Sequence, residues 1–167
     1  MPGVRSLALT LVAALGVCGP AAAQPAGGPA SLGPVTLTDQ HGVEHSIDAA
    51  VRLVLFSRDM DGGAVMRKML DSEVLGEAPA AFLGRNRAVC VADISRMPGL
   101  IARAIAKPRM RRRPYPVLLD EEGEVSAAWP SEKGRTTLIR LEANRLVEAL
   151  HFKDPAALRS AIEGAAD

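Results

Sequence analysis

Apolar and polar positions along the chain switch between two periods. Val51 to Phe56 is an apolar run of strand length broken only by Arg52, which suits a strand covered on both faces. From Ala64 to Leu75 the spacing becomes helical, with Val65, Met66, Met69, Leu70 and Val74 on one side and Asp61 placed to cap the helix. Pro79 limits Ala80–Leu83 to a short helical turn. Ala88-Val89-Cys90-Val91-Ala92 reads as a second buried strand, ended by Asp93. Pro98 to Ala106 predicts a helix with proline in its first turn and Leu100, Ile101 and Ile105 on one side.

Pro116 to Leu119 is a third strand, followed by the turn Asp120-Glu121-Glu122-Gly123 and a short segment, Glu124 to Trp129, with room for one turn of helix. Thr136–Leu141 and Arg145–Phe152 predict a hairpin around Glu142-Ala143-Asn144, and Asp154-Pro155 opens a last helix that runs to about Gly164. Strand, helix, strand, helix, strand, then hairpin and helix predicts a three-layer α/β domain around a mixed sheet.

The N-terminus adds a compartment. Arg5, the apolar run Leu7 to Val17 and the small residues Ala21-Ala22-Ala23 have the layout of an export signal, residues 1–23, cleaved after Ala23. The run is shorter than the ~20 apolar residues of a membrane span. Cys18 is a conceivable lipid attachment point, but Val17 before it is larger than the small residue such a site prefers. Residues 24–33, rich in Pro, Ala and Gly, read as a flexible leader, and 34–167 as a single domain of ordinary size. A chain processed in this way is periplasmic or secreted. Lys and Arg number 20 against 19 Asp and Glu, and losing Arg5 makes them equal. That balance gives no global pull toward nucleic acid or an anionic membrane. Cys90 is then the one remaining thiol, so a packed core rather than a disulfide holds the domain. With aromatics at 3%, that core is built from aliphatic residues and methionine.

Three segments in this order resemble the thioredoxin-like superfamily, nearest its peroxiredoxin and exported thiol-reductase branches. Val35-Thr36-Leu37-Thr38-Asp39-Gln40-His41-Gly42 is similar to the opening hairpin F-x-L-x-D-x-x-G of those proteins. Pro116 to Trp129 is similar to P-L-L-x-D-x-x-G-x-V-A-x-A-Y, and Thr137 to Val147 to T-x-F-x-I-D-x-x-G-x-I. Small periplasmic thioredoxin-like proteins of unknown activity share the arrangement. The resemblance spans Val35 to Gly164. It implies a central mixed sheet with helices on both faces and an N-terminal β-hairpin. It also implies a reactive cysteine where the strand Leu53–Phe56 turns into a helix, and this chain has none there: the dithiol position falls on Asp61-Gly62-Gly63-Ala64. Without a thiolate at a helix N-terminus, disulfide exchange and peroxide reduction lack their nucleophile. The groove-bracing cis-proline of the thioredoxin branch would fall at about Thr136.

The resemblance therefore marks Asp59, Met60, Asp61, Gly62, Gly63 and Thr136 as a candidate binding groove. Asp59 and Asp61 then have two readings: carboxylates facing a ligand, or a helix cap at Asp61 with Asp59 in solvent near the helix dipole. Calcium is rejected, because the twelfth position of a loop starting at Asp59 is Leu70. His41-Gly42-Val43-Glu44-His45 matches H-x-x-E-H, but in a strand its histidines stand about 13 Å apart, too far to share a zinc ion. Cys90, mid-strand, reads as a small buried hydrophobe, and Trp129 as buried against the sheet. No phosphate-cradling loop or serine-hydrolase elbow is present.

Arg103, Lys107, Arg109, Arg111, Arg112 and Arg113 form a basic run without an intervening acid, and Pro108, Pro114 and Pro116 predict that it is extended and accessible. Arg109, Arg111, Arg112 and Arg113 are a candidate surface for an anionic or protein partner. Tyr115 alone offers little for base stacking, which argues against nucleic acid. The chain is thus expected to be a non-catalytic binding or interaction protein, with no metal or cofactor. The alternative is an oxidoreductase acting through Cys90 with a partner's thiol, or through a bound flavin. A weaker third reading is acid–base chemistry at Asp59 and Asp61.

Overall fold

The computed structural model describes Leu32 and residues 34–165. The expected export signal and most of the leader lie outside the described residues. Among these residues no helix is long and apolar enough to cross a membrane.

β1 (Val35–Asp39) and β2 (Glu44–Ile47) form the N-terminal hairpin and turn at Gly42, whose φ of +87° is costly for any residue with a Cβ. β3 (Leu53–Ser57), β4 (Ala88–Asp93) and β5 (Val117–Asp120) are parallel, with Cys90 opposite both Leu55 and Val117. β6 (Thr136–Glu142) and β7 (Arg145–Phe152) are an antiparallel pair added beside β3. The result is a mixed seven-stranded sheet in the order β2-β1-β5-β4-β3-β6-β7. β3 and β5 are buried at every position, as apolar runs without alternation require. Ala143 and Asn144, at the β6–β7 turn, both take the positive φ that a tight hairpin demands.

The helices are α1 (Met60–Met69), α2 (Ser72–Leu75), α3 (Pro79–Arg85), α4 (Gly99–Ile101), a π-helical turn (Ala102–Ala106), α5 (Lys107–Met110) and α6 (Pro155–Gly164). Asp154 caps α6, accepting from the amides of Ala156 and Ala157. The sheet divides the core. On one face Leu53, Leu55, Cys90 and Val117 meet Met66 and Met69 of α1, Phe82 of α3, and Leu158 and Ile162 of α6. On the other, Val54, Phe56, Val91 and Ile139 meet Leu37, Ile47 and Trp129. Trp129 stacks edge-on against Phe56, with ring centroids 5.2 Å apart. The helical side chains of the buried core lie on the first face. The hairpin and the turn around Trp129 close the second.

Several boundaries differ from the sequence pattern. The helix expected from Ala64 to Leu75 starts at Met60 and stops at Met69, and Val74 in the separate α2 is exposed. Pro79 opens α3 rather than confining it, because the first helical position needs no N–H and φ is already set. Glu124 to Trp129 forms turns, not helix. The basic segment expected to be extended is helical from Gly99 to Met110, with Pro108 in the first turn of α5, where proline is tolerated.

Candidate functional site

The turn between β3 and α1 is held by one carboxylate. Asp59 keeps extended backbone (φ −144°, ψ 170°), and its Oδ1 accepts from the Gly62 amide at 2.8 Å. That is N-cap geometry. Its Oδ2 accepts from the Gly134 amide, also at 2.8 Å, so the same side chain ties α1 to the loop before β6. Thr136 Oγ1 donates to the Gly62 carbonyl at 2.7 Å. Gly62 is needed here, because a Cβ would lie 2.3 Å from the Arg135 carbonyl oxygen. The cap is therefore Asp59 and not Asp61: Asp61 lies within the first turn, exposed, where its charge suits the helix dipole. Nor is Asp59 a free carboxylate in solvent, since amides engage both oxygens.

Beside this turn, past the C-terminal ends of β3 and β4, lies a cavity of about 700 Å³. Open α/β sheets place ligands at this end of their strands. Its walls are α1, through Met60, Gly63, Ala64, Met66 and Arg67, and the 96–113 segment, through Met97, Ile101, Ile105, Arg109, Met110 and Arg113. Ala92 and Val117 line it from the sheet, Ile94 from just past β4, and Ser131 to Lys133 edge it. Three of the exposed large hydrophobic residues line it: Met60 (73% exposed), Ile101 (44%) and Ile105 (45%).

The charge around the groove is one-sided. Asp93 pairs with Arg58 (3.2 Å) and Glu132 with Arg135 (2.7 Å), and Asp59 is occupied by two amides. Arg58 also donates to the Ser126 carbonyl and stacks over Phe56. Arg67, Arg96, Arg109, Arg113 and Lys133 line the groove and form no ion pair among the described residues. The acids are neutralised and the bases are not.

With this geometry in hand, solved structures give a consistent answer. A candidate thiol:disulfide interchange protein DsbE from Chlorobium tepidum superposes with a TM-score of 0.54 at 13% identity, over 83% of this chain and 97% of that one. The pneumococcal exposed lipoprotein thioredoxin from Streptococcus pneumoniae gives 0.51 at 14% identity, over 78% and 98%. A candidate thioredoxin from Neisseria meningitidis gives 0.50 at 16%, over 79% and 87%. The fold is thioredoxin-like. No family model matches the chain, and no curated protein matches it either.

On this thioredoxin-like scaffold, the helix N-terminus that the resemblance assigns to a thiol carries Asp59. Of the residues singled out from the sequence, Asp59, Met60 and Gly63 line the groove. Gly62 and Thr136 are buried together beneath the helix start, and Asp61 faces solvent. Of the arginines, Arg109 and Arg113 line the groove, whereas Arg111 Nε donates to the Gln40 carbonyl and Arg112 is exposed outside the lining. Gln40, buried itself, also accepts from the Val117 amide and donates to the Tyr115 carbonyl, which bridges the gap left by Pro116. His45 lies in β2 with Nε2 2.9 Å from Asp39 Oδ2. Cys90 is fully buried in the core, and burial pushes its thiol up to about 12. Tyr115, beneath the groove, is likewise pushed up to about 12, by burial and then by Cys90. Among the described residues its hydroxyl has no well-formed hydrogen bond, though the nearby Arg113 guanidinium pulls its pKa down in part.

Sequence reasoning missed Arg67, Arg96, Met97, Ile101, Ile105, Met110 and Lys133 as groove residues. Ile101 and Ile105 have the spacing of one side of a helix, yet the small residue Ala102 is buried in their place. The alanines interleaved with them were the available signal: a helix lying close on a sheet can turn small residues inward and large ones out.

Proposed function

We propose that this is an exported, non-catalytic binding protein, whose ligand lies in the groove between α1 and the 96–113 segment. The carrying observation is the groove itself: an apolar cavity of about 700 Å³, within the size range of small-molecule sites. It has large hydrophobic residues exposed along it where a monomer usually hides them. Capping of the helix N-terminus by Asp59, with no thiol anywhere in the turn, supports a binding role over a redox one. A thiol raised to about 12 and without solvent contact disfavours chemistry through Cys90. The N-terminal apolar run ending in Ala21-Ala22-Ala23 supports export, with the mature chain beginning at Gln24.

The test is direct. Anilinonaphthalene sulfonate should bind the purified chain at one site, and Ile105→Lys should abolish that binding. Val147→Lys, an equally exposed position on β7, should leave it intact. Disulfide-reduction and hydroperoxide assays should stay at the buffer rate. Turnover that disappears in Cys90→Ala would overturn the reading, as would dye binding indifferent to Ile105→Lys.

A further inference from the structure

Resting on that binding role, we propose that the groove takes a single-chain amphiphile with a carboxylate head, its apolar tail along the methionines and isoleucines and its head among the unpaired arginines. Three observations converge on this class. First, the lining combines two chemistries that only an amphiphile satisfies together. Met60, Met66, Met97, Ile101, Ile105 and Met110 supply apolar surface, and unbranched thioether side chains adapt to a tail of variable conformation. Arg67 enters from α1 and Arg113 from the turn after α5, so cations stand on both walls. Second, the acids among the lining residues are already satisfied by Arg58, Arg135 or backbone amides. No acid inside the groove competes for those guanidiniums, which bind carboxylates through paired N–H groups. Third, the wall that carries Ile101 and Ile105 contains the π-helical turn, where the Lys107 amide donates to the Ala102 carbonyl. Single π turns recur at functional sites. Here the turn accompanies a buried Ala102 between two isoleucines that face the groove.

An extended peptide fits less well. Peptides that add to a sheet use an unpaired strand edge, and β4 and β5, which reach the groove, are both paired on either side. The backbone donors and acceptors a peptide needs are therefore taken. A tail needs none.

The probe is dodecanoate, read by displacement of the bound dye and by native mass spectrometry of the whole purified chain. One dodecanoate should bind, with dodecanol at least about tenfold weaker. Shortening the tail by two methylenes should weaken binding by about tenfold, and acetate should not compete. Arg67→Glu and Arg109→Glu, both at exposed positions, should each cost the carboxylate about tenfold while dodecanol is unchanged. Arg112→Glu, outside the lining, should match wild type and so exclude a net-charge effect. Equal displacement by dodecanol, competition by acetate, or an Arg112→Glu loss equal to that of Arg109→Glu would each overturn the proposal. If the dye binds at Ile105 but dodecanoate does not displace it, the ligand class is wrong and the binding role stands. If the dye does not bind, the binding role itself fails.

Discussion

Replacing Gly62 by alanine would set a Cβ 2.3 Å from the Arg135 carbonyl oxygen and 2.9 Å from its carbonyl carbon. Both are backbone atoms, so no side chain can swing aside, and the loop before β6 has to retreat by roughly an ångström to reach ordinary contact. That loop also carries the Gly134 amide, which donates to Asp59 Oδ2, and leads into Thr136 at the start of β6, which donates to the Gly62 carbonyl. Overpacking of this kind costs ~1–3 kcal/mol, and weakening one of the hydrogen bonds adds ~1 kcal/mol. Alanine's better helix propensity returns ~1 kcal/mol. The balance is a loss of ~2 kcal/mol, or a Tm lower by roughly 5–10 °C in a domain of this size. Gly63→Ala is the matched control one residue on. Its Cβ would meet only Ser57 Oγ, at 3.5 Å, so the propensity gain prevails and Tm should rise by a few degrees. Thermal unfolding followed by circular dichroism at fixed pH, with urea midpoints as a second measure, reads both. If the two variants moved Tm in the same direction, the close approach of the 132–136 loop to α1 would be refuted.

The cap has its own signature: Asp59→Ala should cost ~1–2 kcal/mol while Asp61→Ala stays within ~0.5 kcal/mol of wild type, and urea midpoints showing equal losses would contradict the assignment. Cys90 should resist a thiol reagent in the folded protein and label fully in denaturant, as mass spectrometry would show; rapid native labelling would contradict its burial. Burial pushes the Asp39 carboxyl up, but the Val43 amide, the His45 ring and the His41 amide outweigh it and hold the group below 3.8. Its contribution is thus present above the unfolded carboxylate value and lost as pH falls through the lower folded one. The stability gap between wild type and Asp39→Asn should therefore narrow below about pH 4, and a gap constant down to strongly acid pH in urea titrations would count against it.

The sheet was legible because its information is local. Apolar runs at Leu53–Phe56 and Ala88–Ala92, bounded by Arg52 and Ser57 and by Arg87 and Asp93, can satisfy their backbones only inside a ladder, and the turn at Ala143-Asn144 sets the β6–β7 pairing. The sequence places the cap of α1 at Asp61, two residues past the actual cap, Asp59. Asp61 and Asp59 both have capping chemistry, and what decides between them is a bond from Gly134, distant in sequence. A cap chosen by a tertiary contact leaves no local trace.

The groove was hidden for a related reason. Leu100, Ile101 and Ile105 have the spacing of a helix packed by its large residues, and that pattern normally marks a core. A π turn adds a residue to the turn and shifts which side chains face inward, so a 3.6-residue period no longer tells buried from exposed. Ala102 takes the contact with the core, the large side chains are left out, and burial that would have stabilised the monomer is available to whatever enters the groove. Each buried methylene is worth ~0.8 kcal/mol, so chain length is the variable to which such a site responds most steeply. The unpaired arginines then select the head. Length dependence and charge dependence should consequently be separable in the same protein: tail changes should be felt at Ile105 and Met97, and head changes at Arg67 and Arg109. A ligand series in which both sets of variants responded identically would mean that the two chemistries do not share one site.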